Sequence, residues 1–214
     1  MQKHEKPNKR ITVLCTDDHG IVREGIALII NRHPDMRVVA SAASGEEALD
    51  LFRDHRPDVT LMDLQLAGMS GLETSRAIRR MDPTARIVVL TMYQGDEDIF
   101  RALEAGAAAY LLKDTLSNDL IRVIREVHAG EVSPDPALEA RLEARASRPT
   151  LTPREIQVLE LIAEGMRNRQ IAKALGVTEE TVDVHSKNIR VKLNVDDRTA
   201  AVRVAIKRGI IHIQ

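Results

Sequence analysis

The sequence predicts an α/β domain on a five-stranded parallel sheet with helices on both faces, followed by a small all-α domain of four helices. Three observations carry that prediction. Five short apolar runs alternate with amphipathic helical stretches up to residue 131, and no strand pattern appears after residue 150. Between them lies a segment bounded by Pro134, Pro136 and Pro149. An alternation of strand then helix requires a crossover after every strand, which gives parallel pairing with both faces covered.

The strands are expected at 11–16, 37–41, 58–62, 86–91 and 108–112, where Val, Ile, Leu and Thr cluster. Helices are expected between and after them, at 21–33, 45–55, 70–81, 97–105 and 116–129. The segment 132–150 is read as a linker with one helix inside it, over the Ala/Glu/Arg-rich stretch 137–146. The last four helices are expected at 153–163, 168–175, 179–193 and 198–208. Thr152, Pro153 and Glu155 form a capping box with proline at the first helical position. Thr178 suits an N-cap, while Gly165, Gly176 and Gly209 follow helical stretches where left-handed caps are needed. The expected domains are a tail over 1–9, an α/β domain over 10–131, the linker over 132–150 and a helical domain over 151–214.

Composition narrows the class. The chain has 214 residues, 43% hydrophobic and 29% charged, as a folded globular protein of two small domains does. No apolar stretch approaches the roughly 20 residues that cross a bilayer, and the N-terminus lacks the apolar core of a signal peptide. With a single cysteine, Cys15, no intrachain disulfide is possible, and a cytoplasmic protein with no membrane partner is expected. Charge is uneven. Residues 1–131 carry 17 Lys+Arg against 21 Asp+Glu, whereas residues 151–214 carry 11 against 8. The basic C-terminal region is compatible with nucleic acid, although an excess this small is weak evidence alone.

Chemistry concentrates at strand ends. The first strand runs into Asp17-Asp18, the third into Asp63, the fourth ends on Thr91, and Lys113 follows the fifth. Parallel sheets bind ligands at this C-terminal edge. Crowded carboxylates repel one another, so such a pocket binds a cation, holds a proton, or both. Magnesium prefers oxygen ligands and uses one or two carboxylates. A carboxylate beside that cation, with an ammonium nearby, is equipped to attack a phosphoryl group. Singly, each residue has a plainer reading: a helix-capping aspartate, a β-branched strand residue, a solvated lysine. Joint placement favours the pocket. His19 reads as loop structure, since no second histidine lies at a ligand spacing.

The runs Cys15-Thr16-Asp17-Asp18-His19, Met62-Asp63-Leu64, Gly68-Met69-Ser70-Gly71-Leu72-Glu73, Leu90-Thr91 and Ala109-Tyr110-Leu111-Leu112-Lys113-Asp114 resemble the receiver domain of two-component response regulators. The resemblance implies a flavodoxin-like fold and a set of roles. Asp63 accepts a phosphoryl group from a sensor histidine kinase. Asp18, Asp63 and the Gln65 backbone carbonyl ligate Mg²⁺, and Asp17 assists through water. Lys113 contacts the phosphoryl group, and Thr91 and Tyr110 form the switch. The chain departs from the family pattern at Ala67, where proline is usual, and at Ala109, where glycine is usual.

In the helix over 179–193, a spacing of about 100° per residue groups Val182, His185, Ile189 and Leu193 on one face. Val184, Lys187, Asn188 and Val191 fall on the other. The second set can meet thymine methyls, phosphates and base edges, or be a solvated face. With the helix before it and the turn Gly176-Val177-Thr178, it reads as helix-turn-helix. Residues from Leu151 onward, including Glu155, Val158, Leu159, Gly165, Asn168, Ile171, Thr181, Val182, His185 and Lys192-Leu193, resemble a LuxR-type DNA-binding domain. The DNA-contact candidates are Asn168, Thr178, Thr181, Asp183, Val184, Lys187, Asn188, Val191 and Lys192. Asp183 stands where the family commonly has lysine. It repels phosphates, can accept from a cytosine amino group, or can pair with Lys187 one turn on. Arg167 and Arg169 are candidates to supply phosphate attraction.

The two resemblances together imply a NarL/FixJ-type response regulator. It is expected to be a non-enzymatic, phosphorylation-switched transcription factor that binds promoter DNA as a dimer, with RNA polymerase a possible further partner. Three other readings remain open: a regulator that works without phosphorylation, a hydrolase with Asp63 as nucleophile, and a regulator that has lost DNA binding through Asp183. Gln65 weighs against the hydrolase, because phosphatases of that kind carry a second carboxylate two residues after the nucleophile.

Overall fold

The structure, a computed structural model, describes residues 10–92, 95–114, 116–131 and 136–212. The expected N-terminal tail over 1–9 lies outside the described residues. The first elements alternate as expected: β1 Ile11–Thr16, α1 Gly20–Asn31, β2 Met36–Ala42, α2 Gly45–His55, β3 Val59–Asp63, α3 Gly71–Met81, β4 Ile87–Thr91, α4 Asp96–Glu104, β5 Ala109–Leu112 and α5 Leu116–Ala129. Five further helices follow among the described residues: α6 Pro136–Ala146, α7 Pro153–Ala163, α8 Asn168–Leu175, α9 Glu179–Leu193 and α10 Arg198–Arg208. Every expected element is present, with ends moved by a residue or two.

The described residues divide into two compact units, one within 10–92 and 101–131, the other within 95–100 and 136–212. Residues 96–100, the first half of α4, thus cluster with the second unit.

In the first unit the sheet has the order β2-β1-β3-β4-β5, with all four pairings parallel. Strand order reverses between β1 and β3, which creates a crevice at their C-terminal ends. Alternate residues of each central strand enter opposite cores. Val13, Cys15, Leu61, Val88 and Leu90 join Ile26, Ile30, Leu120 and Ile124 on the α1/α5 face. Leu14, Met62, Ile87 and Val89 join Phe52, Ile78 and Ala102 on the other face. Both faces are buried, so these strands read as continuous apolar runs rather than alternating ones.

Register brings the strand ends level. Thr16 pairs with Met62, Asp63 with Leu90, and Thr91 with Leu112. One glycine permits the tight step from β3 into α3: a Cβ on Gly71 would lie 1.8 Å from the Asp63 carbonyl oxygen. Gly71 N–H donates to the Leu64 carbonyl at 3.1 Å, and Ser70 with Glu73 closes a capping box on α3.

The C-terminal helices enclose a separate core of Val158, Leu159, Ile171, Val182, Ile189, Leu193, Ala201 and Ala205. Thr152 and Glu155 form the expected box on α7, and Thr178 caps α9 through the Thr181 N–H at 3.2 Å. Gly165, Gly176 and Gly209 take φ of 82°, 65° and 73°. Asn194 closes α9 at φ 56°, a left-handed cap that a residue other than glycine supplies. No helix among the described residues is long and apolar enough to cross a membrane.

Candidate phosphoacceptor pocket and nucleic-acid interface

Asp17 and Asp63 sit side by side at the crevice because β1 and β3 are adjacent and end at the same level. Asp17 is fully buried and Asp63 is 3% exposed. Lys113 reaches in from the end of β5, with Nζ 2.8 Å from Asp63 Oδ2 and 2.7 Å from Asp17 Oδ2. The other Asp63 oxygen accepts a long bond, 3.4 Å, from the Gln65 N–H. Asp17 Oδ1 accepts from the His19 N–H at 2.9 Å, and its carbonyl accepts from Arg23. Asp18 is exposed, with Oδ1 2.6 Å from His19 Nδ1.

The electrostatics follow from burial. Desolvation pushes Asp63 above the usual carboxylate range, although Lys113 pulls the other way. Burial works against the Lys113 ammonium too, but its two carboxylate partners outweigh that and raise its pKa. One ammonium between two buried carboxylates leaves net negative charge, and Asp18 adds to it at the rim. Oxygens of Asp17, Asp18 and Asp63, with a nitrogen of His19, lie within 4.8 Å of one another. A set of hard oxygen donors this close, undercompensated by a single lysine, fits a divalent cation such as Mg²⁺.

Thr91 is buried at the end of β4, and its carbonyl accepts from the Lys113 N–H at 2.8 Å. Tyr110, half-buried on β5 opposite Val89, packs on the α2/α3 side of the sheet. Neither departure from the family pattern disturbs the pocket. Ala67 is exposed in the turn before Gly68, and Ala109 opens β5 opposite Val88. Cys15, one strand residue before this edge, is buried, and desolvation first, then Asp17, pushes its thiol up to about 12. It is an inert core residue.

In the second unit α8, the turn at Gly176 and α9 form the helix-turn-helix. Val182, Ile189 and Leu193 are buried and His185 is half-buried, whereas Val184 and Val191 are 57% and 72% exposed. Lys187 and Asn188 are exposed beside them. The outward face therefore carries two bare valines, an ammonium and an amide. The remaining candidates are placed differently. Thr178 spends its hydroxyl on the α9 cap, with Thr181 Oγ1 3.1 Å away. Asp183 pairs with Asn168, which corrects the option of a Lys187 partner.

Lys192, another of the DNA-contact candidates, is ion-paired within the domain. Its Nζ lies 2.7 Å from Glu155 Oε2, a carboxylate only 3% exposed. A buried carboxylate without that partner would be strongly unfavourable, so the pair holds the half-buried Lys192 against α7. Three residues escaped sequence reasoning. The sequence presents Glu155 as a cap and a LuxR-type residue but not as the partner of Lys192, gives no sign that Arg198 donates to Asn168 at 3.0 Å, and shows His19 as loop structure although it touches Asp18. Adjacency of His19 to Asp18 was a usable signal; the other two partnerships span 37 and 30 residues and left none.

Comparison with known proteins agrees with this geometry. A family model described as response regulator receiver domain matches residues 13–125, and one described as bacterial regulatory proteins, luxR family, matches residues 149–205. The chain belongs to the NarL/FixJ-type response regulators. Nitrate/nitrite response regulator protein NarL of Escherichia coli K12 is 40% identical over 199 residues, covering 89% of this chain and 92% of that protein. The crystal structure of response regulator ChrA from a heme-sensing two-component system is 35% identical at a TM-score of 0.55, covering 94% of this chain and 99% of that one. A structure of the RcsB–DNA complex is 25% identical at a TM-score of 0.64, covering 93% and 99%. This response regulator thus combines a receiver fold with a LuxR-type helix-turn-helix, as its two cores and its strand order require.

Proposed function

We propose that Asp63 is the phosphoacceptor of a phosphorylation switch that controls DNA binding by α9. The observation that carries this reading is the contact of Lys113 with both Asp17 and Asp63 in a crevice where all three side chains are at most 9% exposed. The donor is a phosphohistidine on a sensor kinase. An Asp63 carboxylate oxygen attacks phosphorus, a P–O bond forms, the P–N bond breaks, and the imidazole leaves with its electron pair and takes a proton from water. Burial disfavours the Asp63 anion, and the Lys113 ammonium offsets part of that penalty by favouring the nucleophilic carboxylate.

Mg²⁺ would be held by Asp18, Asp63 and the Gln65 carbonyl with Asp17 assisting, and when bound it neutralises charge on the transferring oxygens. After transfer, the phosphoryl group takes over the Lys113 ammonium from Asp63. Thr91 turns its hydroxyl to the new oxygens, and Tyr110 follows into the space it leaves. A switch of this kind needs phosphorylation to favour one state by a few kcal/mol. We place the receiver at 10–131, the linker at 132–150 and the output domain at 151–214. The phosphorylated chain is read as a dimer that sets two α9 helices on two half-sites of promoter DNA, in the cytoplasm.

A small phosphodonor with Mg²⁺ tests the first step. The intact chain should gain the mass of one phosphoryl group, and Asp63→Ala should gain none. A gain that survives Asp63→Ala rejects the assignment of the site, and no gain in the native chain rejects the switch. Sustained hydrolysis of a phosphomonoester would point instead to the hydrolase reading.

A further inference from the structure

Asp183 lies on the outward side of α9, exposed, at the edge of the arc that carries Val184, Lys187 and Val191. One of its carboxylate oxygens accepts from the Asn168 side-chain amide, and the other has no partner among the described residues. Asn168 is itself fixed, because its Oδ1 accepts from Arg198 Nη1 at 3.0 Å while the second guanidinium nitrogen of Arg198 donates to the Met166 carbonyl. A chain of bonds from α10 through α8 to α9 therefore ties down one oxygen of an exposed carboxylate and leaves the other to accept from outside the domain. Two side chains from two other helices thus hold a charge that repels phosphate, on a residue that is itself exposed and absent from the core.

Resting on the DNA-binding reading above, we propose that Asp183 is a specificity-determining residue that selects cytosine at one position of the half-site. A carboxylate only accepts hydrogen bonds. In the major groove guanine and thymine offer acceptors where it would point, and adenine sets its N7 acceptor beside its amino group. Cytosine alone offers an amino donor with no neighbouring acceptor on the same base. Lys187, one turn further along α9, meets the acceptors of the paired guanine, and Val184 meets a thymine methyl at an adjacent step. Phosphate repulsion then becomes part of the selectivity, since the carboxylate weakens every complex in which it gains no donor.

The test is selection from a random duplex library by the full chain treated with phosphodonor. The native half-site should contain an invariant cytosine whose replacement weakens binding roughly tenfold, as one lost base contact does. Asp183→Asn should change that position to adenine, whose N6 and N7 an amide matches, and leave the rest of the site intact. Asn168→Ala, with α9 unperturbed by circular dichroism, should relax the preference at that position only. Identical preferred sites for the native chain and Asp183→Asn would overturn the proposal, as would Asp183→Ala binding all sequences tighter by one common factor. Retention of no duplex at all by the native chain would instead overturn the DNA-binding reading on which this one stands.

Discussion

Gly71 and Asp63 touch backbone to backbone: the place where a side chain on Gly71 would begin is 1.8 Å from the Asp63 carbonyl oxygen. The start of α3 is thereby pressed onto the end of β3, and the position of Asp63 is fixed by a residue with no functional group. Gly71→Ala should destabilise the receiver by about 2–3 kcal/mol, as overpacking does. Thermal unfolding measures the loss. Mass spectrometry after phosphodonor treatment should also show slower uptake, because the added methyl displaces Asp63 itself.

Asp63→Asn should make the protein more stable. Burial raises the Asp63 pKa, so the folded state binds the proton more tightly than the unfolded one, and stability falls as pH rises from the ordinary value of 3.8 through the raised one. A neutral isostere removes that penalty, and we expect a gain of roughly 1 kcal/mol at neutral pH, within the range found when crowded buried charge is replaced. Mg²⁺ should raise the melting temperature of the native chain through binding to the folded state alone. The same addition should do little for Asp63→Asn.

Lys113→Met should cost about 3–5 kcal/mol, since it leaves two buried carboxylates without a counter-charge. The sign with pH is opposite to that for Asp63. Lys113 has a raised pKa, so its contribution is complete below its ordinary value of 10.5 and is lost as pH rises through the higher folded value. Chemical denaturation of both chains across alkaline pH should find the native advantage shrinking above pH 10.5.

Glu155→Ala should destabilise the helix-turn-helix unit by about 2–3 kcal/mol through loss of a cap and of the Lys192 pair. Burial alone would raise the Glu155 pKa, but bonds from Lys192 and Thr152 outweigh it and leave it lowered. Its stabilisation is therefore present above the ordinary value of 4.5 and disappears as pH falls through the lower folded value. Acid titration followed by helical circular dichroism should show the native unit retaining structure to lower pH than the variant.

The sheet, its helices and the pocket were legible because each strand ends in a functional residue. Order along the chain therefore becomes order across the edge once parallel pairing is assumed. Lys113 could be brought to Asp63 from 50 residues away on that basis alone. Periodicity likewise separated buried Val182 and Ile189 from exposed Val184 and Val191. What it could not separate was the destination of long polar side chains. Lys192 lies at a face boundary, and whether it turns to DNA or to Glu155 depends on α7, which no pattern within α9 reports. Asp183 posed the same problem: its partner came from α8 rather than from the next turn of its own helix.

The buried Cys15 has a practical consequence for watching this switch operate. A thiol inside the sheet with a pKa near 12 is almost wholly protonated at neutral pH and out of reach of alkylating reagents. The native chain is therefore silent to maleimide chemistry while folded. A single cysteine introduced on the surface, at Val191 for instance, would take a fluorophore or spin label without prior removal of the natural thiol. Any modification of Cys15 would then report unfolding of the receiver and not its activation.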